Sequence, residues 1–393
     1  MRDPNELDDW PSVAARSALS VGIVALAVAI GIGRFAFTPL LPLMIRDRMV
    51  DASTGAEWAA ANYIGYLVGA LTAARMNRLM KRNLSFALGG VAVSTAAVAF
   101  IHTSLGGAAL RFVAGIFSAW VLVLASSLCL ATLAHEGVSK LGAWIYTGVG
   151  VGITLAGVLA WLGGAQSAWL LWLELGALAA IGAVYVVKAI PHTSDGPAAS
   201  VSGGSGPVRG YTGLIICYGT FGFGYIVPAT FLPALAHAQV KNPLVFGLTW
   251  PVFGIAAAVS VAIVARLLSA VPRRRVWAMA QGLMALGTAL PVFTQRLGSL
   301  TSSAMLVGGT FMVTTMAGLQ LARESVPANP TPLLARMTAA FAAGQIAGPV
   351  LVRLFPVQPA QPWGGLTFAS ALATVLLAGT GIWLWRLDLH QPH

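Results

Sequence analysis

The charged side chains within the long apolar stretches of this 393-residue sequence include Arg34, Glu57, Arg111 and Glu174. A charged residue near the centre of a membrane helix costs about 2.5–3.5 kcal/mol, so it is expected to face a cavity or a partner. A guanidinium presents a fork of donors that matches a carboxylate or a phosphate, and a positioned carboxyl group can take up and release a proton. These residue types therefore predict anion binding, together with candidate proton carriers, inside a membrane.

Arg34 is the strongest candidate for contact with a substrate. Two other roles remain open to it. In a structural role, its guanidinium binds backbone carbonyls freed around Gly31, Gly33 and Pro39. In a gating role, it forms an ion pair.

Arg111 and Glu57 are expected at similar depths. At a rise of 1.5 Å per residue, Arg111 lies roughly 6 Å below the outer surface, where it either serves a cavity or extends to the interface. Glu57 enters its own span at a comparable level, so an ion pair between the two is expected. Glu57 and Glu174 are the two carboxylates away from the span ends, and each is a candidate proton site.

Further polar and aromatic residues recur at helical spacing. Asn62, Tyr63 and Tyr66 fall close together on one helix face, and Tyr218 and Tyr225 are seven residues apart and share another. For each of them, packing is the alternative to ligand contact. The candidate contacts to a substrate, in addition to Arg34, are Thr38, Asn62, Tyr66, Tyr218, Tyr225, Trp250 and Gln345.

The composition requires membrane helices to position these residues. The chain is 57% hydrophobic and 9% charged, whereas soluble domains carry roughly 25% charged residues. A membrane helix needs about 20 apolar residues, and barrel strands would alternate over about 10 residues instead of running apolar throughout. Twelve spans are predicted, at 18–44, 54–76, 84–101, 107–132, 143–163, 168–189, 211–236, 245–268, 276–295, 299–322, 335–356 and 363–386.

The net charge of +11 is a topology signal and does not indicate nucleic-acid binding. If loops alternate between two sides, the side of the N-terminus carries 16 of the 23 Lys and Arg residues and the other side carries 5. The positive-inside rule then places both termini in the cytoplasm. No cleavable signal peptide is expected, and the two cysteines suggest neither a disulfide framework nor a metal site.

The second half of the chain repeats the first. The segments 31–42 and 222–233 both contain Gly-x-Gly and a Leu-Pro end, 191 residues apart, and Arg75 and Arg266 recur at the same offset. Arg34 aligns with Tyr225, so we expect two helices that pack alike around a cavity with one charged and one aromatic wall. The expected units are a cytoplasmic tail at 1–17, a six-helix half at 18–189, a Gly/Ser/Pro-rich cytoplasmic linker at 190–210, a second half at 211–386 and a tail at 387–393.

Parallel repeats of six helices are the arrangement of the major facilitator superfamily. Leu110-Arg-Phe-Val-Ala-Gly115 resembles its R-x-x-x-G motif. More specifically, segments 31–44, 61–70, 222–233 and 337–349 resemble the YbfB/YjiJ family of bacterial transporters. The resemblance covers the chain from end to end and implies a twelve-helix inner-membrane permease of small solutes.

The resemblance also implies roles for particular residues. Spans one, four, seven and ten would line the central cavity, and Arg111 would act in proton coupling or cavity electrostatics. Span six would be peripheral, which favours a structural hydrogen bond for Glu174. The basic loop around Arg75 sits where the superfamily keeps a gating loop, but the acidic residue of that loop is absent.

We therefore expect a monomeric secondary transporter, without a cofactor, that moves a small polar or anionic organic solute by alternating access. Its coupling ion would be a proton. The alternative within this class is an exporter of sugars or hydrophobic, drug-like compounds by proton antiport. The Gly-Pro typical of drug antiporters is missing from span five, which disfavours that alternative. An enzyme is not expected, because all six histidines lie in loops or tails. Internal duplication argues against a channel.

Overall fold

The computed structural model describes residues 11–101, 103–190, 211–239, 248–294, 296–354 and 364–388, and none of these is in a β-strand. Residues 1–10 of the predicted N-terminal tail, the linker from 191 to 210 and residues 389–393 lie outside these ranges, and the first helix begins within the predicted tail 1–17. The helices before residue 190 are α1 (Val13–Leu26), α2 (Phe37–Arg46), α3 (Ala52–Ala73), α4 (Met80–Ala97), α5 (Ser104–His135), α6 (Thr147–Leu162) and α7 (Ala168–Ala189). Those after residue 211 are α8 (Thr212–Gln239), α9 (Thr249–Leu267), α10 (Arg273–Phe293), α11 (Leu297–Ser325), α12 (Thr331–Leu354) and α13 (Gly364–Asp388).

Ten helical stretches within the described residues are long and apolar enough to cross a membrane. The first, Val13–Arg46, combines α1 and α2 and is longer than the predicted span 18–44. The helices α3 and α12 are not among the ten, and they carry the polar residues Asn62 and Gln345. The expected count of twelve spans therefore stays a prediction.

The first span is broken at its centre. A π-helical turn, Ala27–Ile32, follows α1, and residues 33–36 form turns before α2 begins. Pro39 has no N–H, and Thr38 N donates to Phe35 O at 3.3 Å instead of reaching the carbonyl of Arg34. The break therefore withdraws that helical hydrogen bond from Arg34 O, in the middle of the bundle.

Two pairs of helices join the halves of the chain. The helix α3 packs against α12, and α6 packs against α9. Each pair joins a helix of the first half to one of the second. The strongest packing within the halves is of α3 on α5 and of α8 on α12. The bundle therefore has two half-to-half seams, with the broken first span in the interior.

Glycines on α6 allow close approach on two of its faces. A Cβ at Gly148 or Gly152 would overlap backbone atoms of the first span, at Ile23 and Ala27. A Cβ at Gly150 would overlap the backbone of α9, and one at Gly157 would lie 2.8 Å from Pro251. The α6–α9 seam is therefore a contact of backbone against backbone.

The repeated segments pack alike at their first glycine. Gly31 meets the backbone of Gly152 on the fifth predicted span, and Gly222 meets the backbone of Phe341 on the eleventh. These neighbours occupy corresponding positions in the two halves. The likeness ends there, because the first copy is broken whereas α8 runs without interruption from Thr212 to Gln239.

Asp47 fastens the end of α2 to the beginning of α7. Its carboxylate accepts a hydrogen bond from Ala168 N at 2.6 Å and pairs with Arg46 Nε at 2.7 Å. Ser167, the N-cap residue of α7, makes no capping hydrogen bond of its own. The hydrogen bond from Arg46 lowers the pKa of the Asp47 carboxyl, and the one from Ala168 lowers it further against an opposing effect of burial.

We predict that Asp47→Ala lowers the thermal midpoint in detergent at pH 7. The reason is the loss of a helix cap, which contributes about 1 kcal/mol to the free energy of unfolding. Asp47→Asn should keep most of this, because an amide oxygen also caps. Because the pKa of Asp47 is lower in the folded state, the ionised carboxylate stabilises the fold at pH values above the unfolded pKa of about 3.9. This stabilisation is lost as the pH falls through the folded-state pKa. The difference in thermal midpoint between wild type and Asp47→Ala should therefore shrink as the pH falls below about 3.9. A difference that stays constant as the pH falls would contradict the assignment.

Candidate functional site

A small cavity lies between the halves beside the broken first span. Its volume, as space open to the centre of a water molecule, is about 30 Å³, which is room for about two waters. The first half contributes Ile30, Arg34, Phe35, Tyr66, Leu122 and Val149, and the second contributes Tyr218, Phe311, Met312, Thr315, Thr338 and Phe341. Both halves thus line one small cavity.

Arg34 is the cation of this cavity, and its side chain is 6% exposed. Its Nη2 donates to Gln345 Oε1 across the α3–α12 side of the bundle, so a first-half residue binds a second-half residue. Its guanidinium carbon lies 4.0 Å from the centre of the Tyr66 ring, and its buried Nε has no hydrogen-bond partner. No carboxylate within the described ranges forms an ion pair with Arg34.

Arg111 performs the structural role that the sequence left open for Arg34. Its Nη1 donates to Gly33 O at 3.0 Å and its Nη2 donates to Arg34 O at 3.2 Å, so both guanidinium ends bind carbonyls at the break. Asn62 Nδ2 in turn donates to Arg111 O at 2.9 Å. Arg111 is 2% exposed and does not extend to the interface. It is a positioning residue for the backbone that carries Arg34.

The expected ion pair between Glu57 and Arg111 is absent, and that expectation is wrong. Glu57 is exposed and accepts a hydrogen bond from Ser104 Oγ at 3.0 Å. Trp58, the next residue, is buried against α5, which turns Glu57 to the outer face of α3. The guanidinium of Arg111 is already bound to the two carbonyls of the break.

Three other predicted residues lie away from the cavity wall. Glu174 is half-buried on α7, which packs against α1, α2 and α4. Arg75 is exposed in the 3₁₀ segment Ala74–Leu79, and Thr38 is exposed on α2. None of the three lines the cavity.

A column of stacked rings supports the second-half wall. Tyr225 stacks with Phe311 at 5.1 Å and with Phe341 at 6.1 Å between ring centres, each at an angle of 17°. Phe311 stacks with Phe253 at 5.4 Å, and Phe253 stacks with Trp250 at 5.3 Å. Tyr225 and Trp250 thus stand behind the wall and hold its rings.

The structure therefore sorts the predicted contacts into two layers. Arg34, Tyr66 and Tyr218 line the cavity, whereas Gln345 and Tyr225 touch residues that line it. Asn62 lies one step further away, because its amide binds Arg111, which is not a lining residue. Phe35, Phe311 and Phe341 are wall residues that sequence reasoning did not single out. A phenylalanine within an apolar span carries no sign that separates a wall position from ordinary packing.

A bundle of apolar helices in two packed halves, with a cavity lined from both, defines a membrane transporter of the secondary class. The sequence profile described as "Uncharacterised MFS-type transporter YbfB" matches residues 26–384. The chain belongs to this family of the major facilitator superfamily, which confirms the resemblance seen in its sequence. It is a multi-pass transporter and not an enzyme.

Comparison with known proteins supports the fold. No curated protein matches the sequence. Among solved structures, the human organic anion transporter MFSD10 (TETRAN) is similar with a TM-score of 0.69 at 14% identity, covering 98% of this chain and 100% of that one. The nucleoside transporter NupG, solved as a point mutant, is similar with a TM-score of 0.65 at 15% identity, covering 94% of this chain and 100% of that one.

The structural role of Arg111 can be tested by a substitution that removes the guanidinium group and keeps most of the side-chain volume. Arg111→Met leaves two buried carbonyls without their donor, at a cost of about 1–3 kcal/mol each. We expect a marked fall in the thermal midpoint, and a smaller fall for Arg111→Lys, because an ammonium lacks the planar fork. Arg75→Met, at an exposed position, is the control. An Arg111→Met protein as stable as wild type would refute the structural role.

Proposed function

We propose that this chain carries a small organic anion across the bacterial inner membrane by alternating access, with Arg34 as the group that binds the anion. The supporting observation is a buried guanidinium in a shared cavity whose hydrogen-bond partner there is the neutral Gln345. A buried charge without a counter-charge is unfavourable, and an anionic solute would supply that charge. At 14% identity, the similarity to an organic anion transporter concerns the fold alone, so Arg34 carries the proposal.

The described conformation is closed around the site. A cavity of about 30 Å³ is far smaller than the roughly 300–1,000 Å³ of a typical ligand pocket. On the side of the bundle that we assign to the cytoplasm, the hydroxyls of Ser127 and Thr331 lie 3.0 Å apart and join α5 to α12. Transport therefore requires the halves, residues 18–189 and 211–386, to rock apart along the α3–α12 and α6–α9 seams.

We place both termini in the cytoplasm on the distribution of Lys and Arg, and we take the working unit to be a monomer. Neither Glu57 nor Glu174 lines the cavity, so neither is assigned as a proton carrier, and the proposal does not depend on proton coupling. A second candidate, export of neutral hydrophobic compounds, is favoured by the aromatic wall. An anion is preferred because a neutral solute would leave Arg34 without a counter-charge.

The test of the anion role is a ligand thermal-shift screen of carboxylates, sugars and dyes on purified wild type, Arg34→Ala and Arg34→Gln. We expect carboxylates to raise the thermal midpoint of wild type and to leave both variants unchanged. Arg75→Ala should respond like wild type. Anionic hits that bind all four proteins equally would show that Arg34 is not the anion site. Accumulation in right-side-out and inside-out vesicles then separates uptake from export.

A substitution of Gln345 that hardly changes its shape gives a second test of anion binding at Arg34. In Gln345→Glu, a carboxylate at the same position would pair with Arg34 and compete with the solute. We expect the affinity for an anion to fall at least tenfold, about 1.4 kcal/mol, without loss of thermal stability. Gln345→Met, which removes the competing acceptor, should bind the anion at least as tightly as wild type. Unchanged affinity in Gln345→Glu would place the anion elsewhere.

A further inference from the structure

Resting on the proposed function, we infer the class of the solute: a planar aromatic monocarboxylate, with one negative charge, no positive charge and few hydroxyl groups. Three features of the cavity carry this inference. They are its charge, the state of its hydroxyl groups and the arrangement of its rings.

The charge of the cavity matches a single anion. Arg34 is the one charged side chain among the described residues that line it. A zwitterion would bring an ammonium group to a wall without a carboxylate, since Glu57 is exposed on the outer face of α3 and Glu174 lies on α7. A dianion would leave its second charge without a partner. Each extra charge would be buried unpaired, which is strongly unfavourable.

Four residues that line the cavity carry a hydroxyl group, Tyr66, Tyr218, Thr315 and Thr338, and the two threonine hydroxyls are poorly placed for a sugar. Thr315 Oγ1 donates to Phe311 O at 3.0 Å, and Thr338 Oγ1 donates to Leu334 O at 2.8 Å. Each threonine hydroxyl therefore donates its hydrogen bond to a carbonyl of its own helix. A polyol needs many donors and acceptors in a matched arrangement, because each of its buried hydroxyls must be satisfied. Such a wall suits a carboxylate on an apolar body.

The rings of the cavity favour a flat body over a saturated one. Phe311 and Phe341 both line the cavity, and each lies within 17° of the plane of Tyr225, so their faces are aligned. Phe35 closes the space from the first half, with its ring at 68° to Phe311 and 6.0 Å away. Aromatic pairs prefer stacked or edge-to-face contacts, and Phe311, which is already stacked on Tyr225 and Phe253, offers an edge-to-face contact to an arene.

The orientation of Arg34 agrees with this placement. Its guanidinium lies over Tyr66, and one of its ends is held by Gln345. The buried Nε has no partner, so a donor remains for a carboxylate oxygen. The carboxylate would bind Arg34 while the ring rests on the second-half wall. One planar molecule would thus contact both halves.

The experiment compares binding of benzoate with four probes that each change one property. Benzamide removes the charge, cyclohexanecarboxylate removes planarity, terephthalate adds a negative charge and 4-(aminomethyl)benzoate adds an ammonium. Affinities are measured on the purified full chain by competition or calorimetry. We expect benzoate to bind at least about tenfold more tightly than each of the others, a difference easily resolved by these methods.

Two wall variants test the contribution of the rings. In Phe311→Leu and Phe341→Leu, the apolar volume is largely kept and the ring is lost. The preference for benzoate over cyclohexanecarboxylate should fall toward unity, with both ligands still dependent on Arg34. Phe86→Leu, which removes an exposed ring on α4, is the matched control and should keep the preference.

The outcomes separate the two proposals. If no organic anion binds in an Arg34-dependent way, the proposed function fails. If cyclohexanecarboxylate binds as tightly as benzoate and still requires Arg34, the anion role stands and the aromatic inference is overturned. Equal binding of terephthalate or 4-(aminomethyl)benzoate would overturn the restriction to one charge.

Discussion

A buried guanidinium without a carboxylate partner is the constraint around which the centre of this bundle is arranged. Arg34 sits at the point where the first span stops being helical, and the two exceptional features are coupled. The break leaves carbonyls that need donors, and Arg111 supplies both. Tyr66 covers a face of the Arg34 guanidinium, and Gln345 accepts from one end. Two arginines thus lie close together, with Arg111 fixing the backbone so that Arg34 can face the cavity.

The same constraint explains why the two halves differ at their most similar segments. Both copies keep the glycine that allows close packing on a neighbouring helix, at Gly31 and Gly222. The first copy then breaks at the position of Arg34, whereas the second continues as helix through Tyr225. A phenol needs no rearranged backbone, and Tyr225 serves the cavity indirectly by holding Phe311 and Phe341. The aligned positions Arg34 and Tyr225 thus differ in side chain and in backbone, with the charge in the first half and the stacked rings in the second.

The sequence predicted much of this architecture because membrane helices follow from simple physical rules. The length of the apolar runs identifies the spans, and the offset of the repeat shows which spans correspond between the two halves. The cost of burying a charge singles out Arg34 from the sequence alone. Side-chain partners were harder to predict. Depth along a helix suggested the pair of Glu57 and Arg111, but rotation about the helix axis decides contact, and the buried Trp58 turns Glu57 outward. The wall phenylalanines gave no signal, since the same residue type also faces lipid, as Phe86 does.

Under the proposed function, one hydrogen bond links solute binding to movement of the halves. Arg34 belongs to the first span and Gln345 to α12, so the bond between them joins the two halves at the level of the cavity. A carboxylate that binds Arg34 competes with Gln345 and weakens this contact, while the ring of the solute adds a contact to the opposite wall. The α6–α9 seam depends instead on glycine-mediated backbone packing. Binding would therefore weaken a side-chain contact between the halves at the cavity, and the rocking motion that opens both seams would begin from that contact.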